Sequence, residues 1–108
     1  MKDNVVKDKS LEFAVRIVNF YKFLVNEQKE FVMSKQILRS GTSIGANIRE
    51  AEQAQSRADF INKLNIALKE ANETEYWLEL LIRTEYITRE QYELSLIHIS
   101  EPTRLALI

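Results

Sequence analysis

The chain has 108 residues, no cysteine and a formal net charge of −1. That length suits one domain with a modest core of its own. Without cysteine there is no disulfide, no thiolate metal site and no cysteine nucleophile, and near-neutrality gives no overall pull toward nucleic acid or acidic lipid.

The opening residues, MKDNVVKDKS, carry charges with no apolar run behind them. No signal peptide is expected there, and a cytoplasmic location follows by default. Two glycines and one proline leave little material for tight β-turns, while helical spacing recurs throughout, so the expected class is all-α.

Helix one is predicted to start near Asp8 or Ser10, either of which can cap it, and to run to about Asn26. Lys9, Glu12, Arg16, Asn19, Lys22 and Asn26 form its polar stripe at steps of three and four. The rest is apolar, well over half of the circumference, where a surface helix normally hides about a third. The excess points to an oligomer. Subunits are expected to meet on Phe13, Ile17, Phe20, Tyr21 and Leu24, several of which should stay partly exposed in a single chain. The run Phe13 to Val25 is broken by Arg16, Asn19 and Lys22, so it does not suit a membrane span.

Helix two is expected to start between Val32 and Ser34 and to end near Ala54, with a seam of Ile37, Gly41, Ile44, Ile48, Ala51 and Gln55. Both glycines stand in its stretch RSGTSIGANIREA. A phosphate-cradling loop needs a preceding strand and a lysine after the last glycine, and both are missing here. Glycine costs a helix interior about 1 kcal/mol relative to alanine. Gly41 and Gly45, four apart on one face beside Ile44 and Ile48, are therefore read as a site of close helix packing. Ser40 and Ser43 serve there as small packing residues.

Helix three opens at SRADF, with Ser56 as N-cap and Asp59 as the reciprocal acid of a capping box. Its seam is Phe60, Leu64, Ala67, Ala71, Thr74, Leu78 and Leu81, flanked by Ile61, Leu68, Trp77 and Ile82. Helix four starts at Thr88, with Gln91 completing the box TREQ. Long helices, short links and three-four spacing describe an antiparallel up-and-down four-helix bundle.

No catalytic or metal constellation emerges. His98 is the one histidine, so the di-iron site of carboxylate bundles lacks its nitrogen ligands. The run Glu70, Glu73, Glu75 and Glu79 reads as a solvated face, with Lys69–Glu73 and Glu79–Arg83 spaced for ordinary pairing. No cofactor or small-molecule substrate is implied. The charge is divided unevenly: nine Lys/Arg against five Asp/Glu in residues 1–49, and six against eleven in residues 50–108.

The stretch SKQILRSGTSIGANIREAEQAQSRADFINKLNIALKEANETEYWLELLIRTEYIT resembles the bacterial family of 23S rRNA intervening-sequence proteins, most specifically over Arg39–Ala51 and Lys63–Leu81. The similarity covers roughly residues 5–94. It implies an up-and-down bundle assembled as a homopentamer, with no catalytic residues to carry over. Some members are encoded within intervening sequences of large-subunit ribosomal RNA genes. Relatives are basic accessory proteins of retroelements that engage nucleic acid and a reverse transcriptase.

Past Tyr92 the helical logic ends. Pro102 stops any continuing helix, and the tail LSLIHISEPTRLALI resembles translated sequencing-adapter DNA. The expected organisation is thus a bundle domain over 1–94 with a truncated fourth helix ending by about Ser100, and an atypical extension over 95–108, read as a chimeric, adapter-derived end. The functional readings are a non-enzymatic oligomeric scaffold that binds itself and a protein partner, or a weak nucleic-acid-binding accessory module using Arg16, Lys35, Arg39 and Arg49.

Overall fold

Helical spacing becomes helix throughout. A computed structural model describes residues 2–93 as α1 (Lys2–Asn26), α2 (Met33–Glu52), α3 (Arg57–Arg83) and α4 (Arg89–Tyr92), with no strand among the described residues. The arrangement is an up-and-down bundle in which α2 lies between α1 and α3 and packs on both. The fourth helix is short and touches α3. The expectations for Ser100, Pro102, His98 and the extension 95–108 lie outside the described residues.

The helix ends follow local chemistry, with one reassignment. α1 begins at Lys2, well before the two candidate caps. Ser10 is buried inside the helix, and its hydroxyl donates to the Lys7 carbonyl at 2.9 Å. Nothing in residues 5–9 breaks a helix, and the packing of Ser10 on α2 carries α1 back past the caps. The chain leaves α1 through Lys29 in the left-handed region, φ 56°.

α2 starts on Val32, whose side chain offers no acceptor. Glu30 supplies it instead. Its buried carboxylate accepts the amides of Val32, Met33 and Ser34 at 3.2, 2.9 and 2.7 Å, while the Ser34 hydroxyl donates to the Glu30 carbonyl. Three of the four orphan amides of the helix start are thereby satisfied by a group that also suits the helix dipole. The helix stops at Glu52, and Gln55 is exposed beyond it, outside the seam predicted for it.

Ser56 caps α3 by accepting the Asp59 amide at 3.1 Å. Only this half of the predicted box forms; aspartate is one methylene shorter than the Glu or Gln that closes such boxes. At α4 the longer Gln91 closes both halves with Thr88. The end of α3 is a Schellman turn, with the Tyr86 amide on the Leu81 carbonyl and Glu85 at φ 69°.

The core joins Phe13, Ile17 and Leu24 of α1 to Ile37, Ile44 and Ile48 of α2 and to Ala67, Ala71, Leu78 and Leu81 of α3, closed by Ile87. Two hydroxyls meet inside it, Thr74 Oγ1 and Ser40 Oγ at 2.9 Å, which satisfies both and ties the register of α2 to α3. The first turns of α3 depart from the predicted seam: Phe60 and Ile61 are exposed and Leu64 is half-buried. Among the described residues no helix is long and apolar enough to cross a membrane.

Candidate interaction surface

Helices α1 and α2 come close at Gly41, which is buried in α2 against Ile17 of α1. A Cβ built there would stand 2.8 and 2.9 Å from Ile17 Cγ1 and Cγ2. One turn on, a Cβ at Gly45 would lie 3.2 Å from Ser10 Oγ, and that glycine is half-buried rather than buried. Ile44 and Ile48 are buried beside them. The small residues thus sit where α1 and α2 pack closely, each glycine facing a side chain of α1.

The face expected to join subunits requires correction. Phe13, Ile17 and Leu24 are buried in the core of the single chain, and Phe20 and Tyr21 are half-buried. Phe20 packs on the core and stacks with Phe23 at 6.3 Å. The reason is shape. Helix one carries two apolar stripes at the same three-four spacing, and the one with the bulkier side chains faces inward. The other is Leu11, Val15, Val18 and Val25, which fall within an arc of roughly 80° and point some 150° away from the core stripe. Leu11 is 50 % exposed and Val15 53 %. Val18 and Val25 are half-buried, so the open part of this stripe is Leu11 and Val15.

The four cationic candidates are not gathered into one patch. Arg39 spans from α2 to α3, where its guanidinium bonds Glu70 at 3.2 Å and also Glu73. Trp77 Nε1 donates to the same Glu73 at 3.1 Å. The hydrogen bond from Arg39, then that from Trp77, holds the Glu73 carboxyl below the ordinary glutamate range; reciprocally, the bond to Glu73 raises the Arg39 guanidinium. Glu73 therefore pairs across helices, not with Lys69 on its own. Glu79 does pair with Arg83 at 3.0 Å and also takes Arg89 at 3.1 Å; the bond from Arg83 leads in lowering its carboxyl. Arg16 lies on the flank of α1 turned away from α2, about 140° round from Leu11.

Lys35 and Arg49 remain, both exposed on the outer side of α2 and about 21 Å apart. Lys22, not singled out from the sequence, is exposed between Leu11 and Val15 in angle and joins them on the outer face of α1. Among the described residues Lys22, Lys35 and Arg49 take part in none of the ion pairs. A shallow open depression where α2 hands over to α3 is lined by Arg49, Glu50, Gln53, Asp59 and Lys63. Lys63 is already held by Glu50 at 3.0 Å. No group of three or more His, Cys, Asp or Glu among the described residues is placed to hold a metal ion.

The family described as 23S rRNA-intervening sequence protein matches residues 2–106. A crystal structure from Bacteroides thetaiotaomicron VPI-5482, of a protein with unknown function from the S23 ribosomal protein family, is also similar. It shares 88 % identity with this chain at a TM-score of 0.94, over 99 % of this chain and 95 % of the other. None of the curated proteins matches.

Proposed function

The chain belongs to the 23S rRNA-intervening sequence protein family, and we propose that it acts without catalysis as a homo-oligomeric scaffold, a pentamer as its resemblance to that family implies, in the bacterial cytoplasm. The observation that carries the reading is the row of Leu11 and Val15, each at least half exposed along the outer face of α1. Burying such side chains contributes roughly 25 cal/mol per Å² of apolar area. A protein partner of the assembled ring is part of this reading.

A second reading, a nucleic-acid accessory module, is favoured by one observation: Lys22, Lys35 and Arg49 are exposed on the same side of the molecule and take part in no ion pair among the described residues. Against it stand the net charge of −1 and the engagement of Arg39 by two glutamates. The two are separated by Leu11→Asp with Val15→Asp in sedimentation velocity. The scaffold reading expects the wild type to sediment as an oligomer and the variant as a helical monomer. A wild-type monomer at micromolar concentration that binds RNA at low salt contradicts it.

A further inference from the structure

Resting on the oligomeric reading, we propose that copies of this chain associate head to tail, the outer α1–α2 face of one against the acidic α3–α4 edge of the next. Lys22 and Lys35 accompany Leu11 and Val15 on the first surface, exposed and without ion-pair partners among the described residues. This face is a poor partner for itself when copies stand side by side. In a two-fold contact whose axis runs along the bundle the same patch appears on both sides at the same height, and its lysines would meet lysines.

The complementary surface is on the same chain. Glu85 follows α3, and Glu90 and Glu93 are spaced three apart along the start of the fourth helix. All three are exposed, and none takes part in the ion pairs of the described residues. The up-and-down order sets their height. α1 ends, α2 begins, α3 ends and α4 begins at one end of the bundle, so Lys22, Lys35 and the three glutamates all belong to that end. When copies stand side by side with parallel axes, these groups are level. Lysines of one copy then face glutamates of the next, beside the apolar row of Leu11 and Val15. The contact uses two different surfaces, so it builds no closed pair: it gives a ring where the rotation between copies closes, as in the pentamer of the proposed function, and an open filament where it does not. The excess of positive charge in residues 1–49 and of negative charge in residues 50–108 acquires a use.

The test is charge exchange, read as oligomer mass in native mass spectrometry and as dissociation on dilution. The wild type is measured first: if it is a monomer, the oligomeric reading itself is wrong and the contact falls with it. If it is an oligomer, Lys22→Glu with Lys35→Glu should weaken assembly by roughly tenfold or more, and Glu90→Lys with Glu93→Lys should do the same. Glu93→Lys alone, which spares the first turn of α4, is expected to act in the same direction. The chain carrying both exchanges again has complementary surfaces and should reassemble to the wild-type mass. Far-ultraviolet circular dichroism checks that each variant keeps its helices. Unchanged assembly in both single-surface variants, or failure of the folded combined variant to reassemble, overturns the proposal. So does a lysine variant that keeps its mass but loses binding to a single-stranded oligonucleotide, for the face would then belong to nucleic acid.

Discussion

Gly41→Ala adds one methyl group where α1 and α2 cross. In most helix interiors this change stabilises by about 1 kcal/mol, because alanine is the better helix former. Here the added Cβ stands 2.8 and 2.9 Å from two carbons of Ile17, a side chain with no solvent exposure. Those carbons are attached directly at the branched Cβ of isoleucine, which is stiff in a helix and cannot swing aside cheaply. Overpacking of this kind costs about 1–3 kcal/mol. The balance is a net loss of up to about 2 kcal/mol, or a fall of up to about 10 °C in Tm for a domain of this size. The assay is urea unfolding followed by circular dichroism, at one fixed protein concentration because assembly contributes to stability. Ile17→Ala should cost less in the Gly41→Ala background than in the wild type, with a coupling of about 1 kcal/mol. Gly45→Ala, beside a single hydroxyl at 3.2 Å, should stay within about 1 kcal/mol of neutral. A Gly41→Ala protein that gains the full increment of about 1 kcal/mol expected of an unhindered helix site would refute the close approach.

Three further outcomes are expected. Lys29→Gly and Glu85→Gly should each stabilise by up to about 1 kcal/mol, since both residues hold left-handed backbone that glycine adopts without strain; lower midpoints in urea would contradict this. Glu30→Ala should lose about 2–3 kcal/mol and fray α2, because three amides at its start lose their acceptor; hydrogen exchange at residues 32–34 reads it, and unchanged protection there would count against the cap. Glu73 carries a lowered carboxyl in the folded chain, so its contribution is present above the unfolded value near about 4.3 and is lost as pH falls through the folded value. The gap in stability between wild type and Glu73→Gln should therefore be full at neutral pH and shrink below about pH 4; a gap that does not change with pH contradicts the Arg39 contact.

What could be read in advance was local. Ser56 and Thr88 announce helix starts because the cap and the amides it serves are three residues apart. The Ile37–Ile44–Ile48 seam is legible for the same reason, as one helix face in sequence order. The start of α2 at Met33 falls within the expected Val32–Ser34, but its acceptor was not legible: Glu30 stands outside the helix and is not among the usual capping residues. Helix one misled because Phe13–Ile17–Phe20–Leu24 and Leu11–Val15–Val18–Val25 share a spacing. Only the packing partners, Gly41 and Gly45 among them, select the inner stripe. The partner of Glu73 was out of reach too, since Arg39 lies thirty-four residues away on another helix and no local rule links the two.

The central claim is that this fold works as an assembly, and the mass of the unmodified chain in solution tests it most directly. Sedimentation equilibrium at micromolar concentration and moderate salt should give a single species well above the 12.7 kDa of one chain, near 64 kDa for five copies. A species at 12.7 kDa that persists to the highest concentration measured would contradict the account.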